Sequence, residues 1–249
     1  MGVENKIILV TGASQGIGKA CALKLARNGA KVVIAARSRE KLDAVAAEAD
    51  GDVFAVACDA SDPASVDGLF QAINDKHGRV DVVFNNAGNN HPSTDFGDLE
   101  FEDWRKVIGL NLDGAFLIAN RAYRMMRGQS PKGGRIINNG SISAYAPRPG
   151  SAPYTASKHG ISGLTKTISL DGRKHDIACC QIDIGNALTE MAARMAKGVP
   201  QADGSIKPEP LMDVDIVADT VLYMAGLDLS ANAQNVTIMA TKMPFVGRG

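Results

Sequence analysis

Short apolar runs alternate along the chain with stretches in which apolar side chains recur every three or four residues. Seven runs are short, rich in β-branched residues and continuously apolar, as are strands of a parallel sheet buried on both faces. They lie at residues 6–11, 31–36, 52–57, 80–85, 135–139, 177–183 and 236–240. The pattern therefore predicts seven strands.

Helical spacing separates most of the successive runs. In the first interval Ile17, Cys21 and Leu25 mark one helix face, and Gly29 follows where a C-terminal cap belongs. Strands and helices in alternation imply right-handed crossovers. We therefore expect the α/β class, with a Rossmann-type doubly wound sheet of about seven mostly parallel strands and helices on both faces.

Composition excludes several classes of protein. The 249 residues carry 27 basic and 27 acidic side chains, so no surplus of cations is present to neutralise nucleic-acid phosphates. No apolar run reaches the ~18 residues of a membrane span, and the first ten residues do not form a signal-peptide pattern. We expect no nucleic-acid partner and no membrane association.

Cysteine usage bears on metals and on location. Cys21, Cys58, Cys179 and Cys180 form neither a C-x-x-C pair nor a cluster with histidine at zinc spacing. We therefore expect no metal site. Reduced, buried thiols are typical of the cytoplasm, which is the location that the sequence favours.

A glycine-rich turn follows the first predicted strand and opens the first helix. Gly12, Gly16 and Gly18 give the spacing Gly-x-x-x-Gly-x-Gly. Glycines at such a position let the backbone approach a pyrophosphate, whose charge the helix N-terminus favours. The turn is therefore a candidate dinucleotide site, although glycines also mark ordinary tight turns.

A tyrosine and a lysine lie one helical turn apart. Tyr154 and Lys158 fall at i and i+4 in a predicted helix over residues 154–171, so they share a face. A tyrosine of pKa about 10 becomes a proton shuttle near neutral pH only if a cation favours the phenolate by roughly 4 kcal/mol. The alternative is that the pair merely belongs to a solvated helix face.

These motifs together resemble the short-chain dehydrogenase/reductase family over nearly the whole chain. The turn from Gly12 to Gly18 resembles its cofactor turn, and Asp59 matches the acid that contacts the adenine ring. Asn85-Asn86-Ala87-Gly88 resembles the motif that closes the fourth strand. The resemblance implies an NAD(P)-dependent oxidoreductase acting on CH–OH groups.

The resemblance also implies a catalytic set of Ser141, Tyr154, Lys158 and Asn111. Ser141 precedes Tyr154 by 13 residues, as in the family, and Asn111 lies in a predicted helix over residues 101–126. Tyr154 would exchange a proton with the substrate oxygen, Lys158 would lower its pKa, Ser141 would orient that oxygen and Asn111 would anchor a relay water. Ser143 is a competing hydroxyl, expected on the same side of a strand.

The family positions of the cofactor contacts can be carried over in the same way. They fall on Gly12, Ser14, Gln15, Gly16, Ile17, Gly18, Arg37, Asp59, Ala60, Asn86, Ala87, Gly88, Tyr154, Lys158, Gly185, Ala187 and Thr189. One position departs from the family: Ile184 stands where a proline usually precedes Gly185, which keeps an apolar wall but restores an N–H donor.

The end of the second predicted strand favours NADP(H), with NAD(H) possible. Enzymes selective for NAD place an acid there, whereas this chain has Ala36 followed by Arg37, whose guanidinium suits a 2′-phosphate. We expect Ser14 and Arg39 to assist, while Gln15 does not supply a second cation. The alternative is that Arg37 only caps a solvated loop.

Three functions are consistent with these residues. The leading interpretation is an NADP(H)-dependent oxidoreductase that interconverts a small-molecule ketone or aldehyde and an alcohol. A 3-oxoacyl-carrier-protein reductase would need basic residues beside the active-site mouth, for which Arg124, Arg127, Lys132 and Arg173 are candidates. A non-catalytic nucleotide-sensing protein is the third, although the catalytic set is complete.

We read residues 1–249 as one dinucleotide-binding, catalytic domain, from which residues 184–212 depart as a substrate lid. This stretch joins the apolar positions Leu188, Met191 and Met195 to a segment rich in Gly and Pro. The three positions either line a partly apolar pocket or pack on the sheet. Tyr145, Pro147, His91, Arg148 and Asn186 are the other expected pocket residues.

The long predicted helices carry more apolar positions than one sheet-facing stripe needs. The surplus positions are Leu110, Leu112, Phe116, Ile118 and Met125. Such a face indicates burial against another subunit. Since these helices pair across two-fold axes in the family, a homotetramer, or failing that a dimer, is expected.

Overall fold

The computed structural model describes residues 2–189 and 198–245. Its main strands are β1 Ile7–Thr11, β2 Lys31–Ala36, β3 Val53–Ala57, β4 Val82–Asn85, β5 Gly134–Asn139, β6 Ile177–Gly185 and β9 Asn235–Met239, with short strands β7 Val199–Pro200 and β8 Ile206–Lys207. Within the described ranges the main strands form one parallel sheet in the order β3-β2-β1-β4-β5-β6-β9. The expected α/β class and doubly wound sheet are confirmed.

Helices cover both faces of this sheet. They are α1 Gly16–Arg27, α2 Arg39–Glu48, α3 Pro63–His77, α4 Phe101–Ile108, α5 Ala115–Gly128, α6 Ala152–Gly172 and α7 Val214–Gly226. Alternate strand residues belong to different cores: Val10 packs with Leu25 of α1 and Val221 of α7, and Leu9 packs with Leu69 of α3 and Ile118 of α5. Continuously apolar strands are thus explained by burial on both faces.

The predicted helix over residues 101–126 is interrupted. A π-helical segment, Gly109–Gly114, separates α4 from α5 and contains Asn111. At Gly114 a Cβ atom would lie 2.9 Å from the carbonyl oxygen of Ala60, so the helix passes very close to the loop after β3. Apolar periodicity does not reveal one inserted residue, and π segments of this kind are frequent at functional sites.

Strand β6 continues further than predicted. Ile184 pairs with Ile238, and Gly185 pairs with Met239. Ile184 packs in the core on the α1 and α7 face. Its side chain thus keeps the apolar wall that was expected at this position.

Part of the predicted lid lies outside the described residues. Met191 and Met195 belong to that part, whereas Leu188 is 53% exposed and does not pack on the sheet. Beyond the gap, β7 and β8 form an antiparallel hairpin, and Ala187 bridges Met212. The two ends of the stretch 184–212 are thus held together at the end of β6.

The order of the strands reverses between β1 and β4. From β1 the chain moves outward to β2 and β3, and it then returns to β4 on the other side of β1. Ligands of open parallel sheets bind in the crevice at the carboxyl ends of the strands at such a point. No helix in the described ranges is long and apolar enough to cross a bilayer.

Candidate functional site

A groove of about 530 Å³ opens at the carboxyl ends of β1 and β4. It begins at the turn between β1 and α1, where Gly12 and Gly16 have φ of 64° and 55°, a region that other residues rarely adopt. The first turn of α1 contains no acidic residue, and Gln15 forms no side-chain cap. The first N–H groups of α1 therefore remain suited to an anion.

The glycine turn is interlocked with the end of β4. A Cβ atom on Gly18 would lie 2.4 Å from the carbonyl oxygen of Gly12 and 2.7 Å from Nδ2 of Asn86. Asn86 donates this amide to the Thr11 carbonyl at 2.8 Å, while its backbone N–H bonds the Thr11 hydroxyl at 2.9 Å. Only glycine fits at this crossing, and a flat backbone surface remains for a ligand.

Two cations line the end of the groove beyond β2. Arg37 and Lys41 are exposed there, beside the hydroxyls of Ser14 and Ser38. Arg39, the other residue expected to assist, does not line the groove, and its Nε bonds Asp43 at 2.8 Å. Lys41, in the first turn of α2, is the cation that sequence reasoning missed.

Asp59 lies opposite these cations, after β3. Its carboxylate accepts hydrogen bonds from the hydroxyl and backbone N–H of Ser61, at 2.7 and 2.9 Å. These bonds, and to a lesser degree the charge of Arg37, lower the pKa of Asp59 below its usual value. The groove therefore pairs a fixed carboxylate with cations at the same end.

Ser141 begins a short turn after β5. It has extended backbone angles, and its Oγ accepts the Ser143 N–H at 3.1 Å as the cap of the 3₁₀ turn Ile142–Ala144. The expectation that Ser143 continues a strand on the same side is wrong, because the chain turns at residue 142. Ser141 is 5% exposed, and its hydroxyl position is fixed by this cap.

Tyr154 and Lys158 lie on the same face of α6, and both line the groove. The Lys158 Nζ is 5.4 Å from the centroid of the Tyr154 ring and donates to the Asn139 carbonyl at 2.7 Å. Lys158 is only 6% exposed. An ammonium is thus held beside a phenol at the inner wall of the groove.

Asn111 connects the π-helical segment to two other elements. Its Oδ1 accepts the Asn89 N–H at 2.8 Å, and its Nδ2 donates to the Asn89 carbonyl at 2.8 Å and to the Ser157 hydroxyl at 3.3 Å. Ser157 in turn donates to the Tyr154 carbonyl at 2.7 Å. Asn111 thus links the loop after β4 to the turn of α6 that carries the phenol.

Most of the predicted cofactor contacts meet at the groove. Those that line it are Gly12, Ser14, Gln15, Gly16, Ile17, Gly18, Arg37, Asp59, Ala60, Asn86, Ala87, Gly88, Tyr154, Lys158 and Thr189. Gly185 and Ala187 do not, since both are buried at the end of β6. Asn139, Ser38 and Leu110 line it without having been predicted.

Several expected pocket residues are engaged with other side chains of the protein. Arg148 forms an ion pair with Glu209, whose carboxylate is buried, and it also donates to Asn186 at 2.9 Å. The Tyr145 hydroxyl donates to Asp183 at 2.8 Å. Sequence reasoning treated these side chains as pocket lining because their partners lie 38 or more residues away in the chain.

The cysteines are all buried and free. Burial raises the pKa of Cys21, Cys58 and Cys179, and it raises the pKa of Cys180 to about 11. Such thiols are poor nucleophiles and poor metal ligands. The described residues contain no group of three or more His, Cys, Asp or Glu side chains that could hold a metal ion.

The chain is similar in sequence to known dehydrogenases and reductases over most of its length. The family model described as short chain dehydrogenase matches residues 6–199. A 3beta-hydroxysteroid dehydrogenase of Mediterraneibacter gnavus is 39% identical over 76% of this chain and 70% of its own length. A 3-oxoacyl-[acyl-carrier-protein] reductase of Synechocystis sp. is also 39% identical, over 76% of this chain and 77% of its own length.

Solved structures with the same fold include proteins with bound cofactors. A 3-ketoacyl-(acyl-carrier-protein) reductase from Brucella melitensis, complexed with NADH, has a TM-score of 0.86 and 27% identity, covering 97% of this chain and 99% of that one. A metagenomic short-chain oxidoreductase in complex with NADP has a TM-score of 0.81 and 29% identity, covering 96% of this chain and 98% of that one.

Proposed function

Because the chain belongs to the short-chain dehydrogenase family, we propose that it is an NADP(H)-dependent oxidoreductase that interconverts a small-molecule ketone or aldehyde and an alcohol. The observation that carries this proposal is the pair of Tyr154 and Lys158, which share one face of α6 and line the groove. A phenol beside an ammonium can exchange a proton with a carbonyl oxygen, as this interconversion requires.

The groove fits a nicotinamide dinucleotide. The N–H groups at the start of α1 and the bare backbone at Gly12 and Gly18 suit a pyrophosphate, and Asp59 lines the part of the groove where it would contact an adenine. Lys158 would hold the ribose hydroxyls of the nicotinamide. When bound, this cofactor supplies or accepts the hydride.

The catalytic residues then have distinct tasks. Tyr154 donates its phenolic proton to the carbonyl oxygen of the substrate, or accepts it in the reverse direction, and the charge of Lys158 stabilises the phenolate. Ser141 holds the substrate oxygen: since its Oγ accepts the Ser143 N–H, its own hydroxyl proton is left for the substrate.

Asn111 orients the surroundings of Tyr154. Through Ser157 it fixes the first turns of α6, and through Asn89 it fixes the loop after β4. A water held beside Asn111 would connect Lys158 to solvent and return protons to Tyr154 after each turnover.

The preference for NADP(H) rests on the charges beyond β2. Arg37 and Lys41 offer a guanidinium and an ammonium at the same end of the groove, and Ala36 presents no carboxylate to repel a phosphate. A charge-assisted contact of ~1.5–3 kcal/mol corresponds to roughly 10- to 150-fold preference in kcat/KM.

The proposal is tested by a screen of ketones, aldehydes and alcohols that follows nicotinamide absorbance at 340 nm. Tyr154→Phe should reduce kcat by about 1,000-fold or more while leaving cofactor affinity nearly unchanged, since only the proton donor is removed. Tyr223→Phe, on the exposed face of α7, is the matched control and should not change turnover. A Tyr154→Phe enzyme that kept more than about a tenth of wild-type kcat would refute this assignment.

A 3-oxoacyl-carrier-protein reductase is the second candidate, because the Synechocystis relative has that name. None of the four expected basic residues lines the groove, so they do not support it. Arg127, Lys132 and Arg173 lie near the amino ends of β5 and β6, away from the carboxyl ends where the groove opens. Turnover of an acyl-carrier-protein thioester well above that of the matching free ketone would favour the carrier-protein reductase over the small-molecule oxidoreductase.

Two further features complete the proposed function. We propose that the described ends of the stretch 184–212, joined where Ala187 bridges Met212, border the substrate as part of the same catalytic domain. We place the protein in the cytoplasm, where its four free cysteines would stay reduced.

A further inference from the structure

A buried carboxylate lies directly behind the turn that carries Ser141. Asp183, on β6, is 0% exposed. Its Oδ1 accepts the Ser141 backbone N–H at 2.9 Å and the Gln181 side-chain amide at 2.7 Å, and its Oδ2 accepts the Tyr145 hydroxyl at 2.8 Å. Among the described residues, no cationic side chain lies within 4.0 Å of this carboxylate.

Two of the three donors belong to one short segment. Ser141 and Tyr145 flank the 3₁₀ turn Ile142–Ala144, so the carboxylate holds the turn at both ends. Partial burial of the Tyr145 hydroxyl and its bond to Asp183 raise the pKa of that phenol, so it stays a donor. Asn235 donates to the same hydroxyl at 3.0 Å and fixes it from β9.

The backbone before the turn is shaped around Asp183. A Cβ atom on Gly140 would lie 2.0 Å from the carboxylate oxygen, so only glycine leaves room for it. Behind the carboxylate, Gln181 accepts from the Thr165 hydroxyl at 3.2 Å, and Thr165 accepts from Asn138 at 2.9 Å. The carboxylate thus ends a buried chain of polar groups that leads from the sheet to the turn.

Burying an ionised carboxylate costs several kcal/mol, which hydrogen bonds offset only when its acceptor sites are used. An apolar residue at this position would fill the core without that cost, but it would release the Ser141 N–H and the Tyr145 hydroxyl together. The arrangement therefore favours a role in fixing the turn.

We propose that Asp183 is a positioning residue, which holds the Ser141 hydroxyl in place by binding both ends of its turn. This inference rests on the proposed function for its effect on catalysis, but the hold on the turn is a property of the protein alone. When a group that orients the reacting atom is displaced by about 1 Å, turnover can fall about 100-fold.

The test compares Asp183→Asn and Asp183→Ala with Thr165→Val in the full chain. Asn keeps an acceptor for the Ser141 N–H, whereas Ala removes all three bonds. Thr165→Val breaks the same buried polar chain without touching the turn. Three quantities are measured for each: hydrogen–deuterium exchange of the peptide covering residues 140–146, thermal stability, and kcat with KM for the cofactor and the carbonyl substrate.

We expect Asp183→Ala to speed exchange of that peptide and to lower kcat about 100-fold, with KM for the cofactor within about twofold of the wild-type value. Asp183→Asn should be intermediate in both. Thr165→Val should lower thermal stability without changing exchange in the turn or kcat. If Asp183→Ala does not fold, Asp183→Asn decides by the same two readouts.

Two results would overturn the inference. One is unchanged exchange and unchanged kcat in the Asp183 variants. The other is a loss of kcat that is proportional to the loss of thermal stability in Thr165→Val as well as in the Asp183 variants, because Asp183 would then be merely structural. Absence of nicotinamide-dependent turnover in the wild-type protein would instead refute the proposed function. In that case exchange alone decides whether Asp183 holds the turn.

Discussion

Lys158 combines three properties that a solvated lysine lacks. It is 6% exposed, it donates to the Asn139 carbonyl at 2.7 Å, and its Nζ lies 5.4 Å from the Tyr154 ring. An ammonium has three donors, and only one of them is needed for the bond to Asn139. We therefore expect the remaining donors to serve the cofactor ribose and the phenolate.

Replacing Lys158 by Met should damage catalysis and cofactor binding together. The change keeps much of the volume but removes both the charge beside the phenol and the donors for the ribose. We expect kcat to fall about 100-fold or more and cofactor affinity to weaken about tenfold, measured by steady-state kinetics and fluorescence titration. Lys166→Met, on the exposed side of the same helix, is the control. Unchanged cofactor affinity in Lys158→Met would contradict the second of its two roles.

The cofactor preference is decided by a few charges beyond β2. Ala36→Asp combined with Arg37→Ala should reverse the preference toward NAD(H), because a carboxylate repels the 2′-phosphate and binds ribose hydroxyls. The ratio of kcat/KM values for NADPH and NADH measures this. Arg39→Ala is the matched control, since Arg39 is engaged with Asp43 and should not change the ratio. Equal or better use of NADH by the unmodified enzyme would disprove the preference but leave the catalytic residues untouched.

At the scale of elements, the turn between β1 and α1 depends on contact between two backbones. Gly18 belongs to α1, yet the atom its Cβ would overlap is the carbonyl oxygen of Gly12 on the incoming loop, at 2.4 Å. Asn86, from the end of β4, closes the same contact. The phosphate-binding surface is therefore produced jointly by a strand, a helix and the neighbouring strand.

Gly18→Ala should separate α1 from this loop and weaken cofactor binding by about tenfold or more, measured by isothermal titration. The matched control is Gly68→Ala in α3, where a Cβ atom meets nothing within 4 Å. That control should stabilise the protein by about 1 kcal/mol through helix propensity and leave binding unchanged. Wild-type affinity in Gly18→Ala would show that the close contact is not needed for the site.

Local patterns predicted the elements and the groove because their signals are contained in short segments. Each apolar run, the glycine turn, and the pair of Tyr154 and Lys158 is contained within a few consecutive residues. The roles of Asp183 and Lys41 were not predictable in this way, since a carboxylate in an apolar run has no periodicity and a lysine in a helix resembles a solvated one. The π-helical segment was missed for the same reason, because one extra residue per turn barely changes apolar spacing.

At the scale of the whole molecule, the surplus of apolar residues is smaller than the sequence indicated. Ile118 is fully buried against the sheet, and Leu112 packs against Gly160 of α6. Exposed apolar side chains nevertheless remain on these helices: Phe101 is 66%, Phe116 is 48% and Leu170 is 60% exposed. Large exposed aromatic side chains on neighbouring helices are typical of a surface that another copy of the chain covers.

We therefore expect the protein to form a homotetramer, or failing that a dimer, through α4, α5 and α6. Light scattering should give about four, or two, times the chain mass of 26.1 kDa. Phe116→Asp should shift the equilibrium toward smaller species, because a charge at the centre of an apolar interface loses its hydration without gaining a partner. Ile206→Asp, on the hairpin of β7 and β8 and 71% exposed, is the control and should leave the mass unchanged. A wild-type monomer at every concentration tested would reject this assembly, since the exposed aromatic residues would then have to serve a different partner or none.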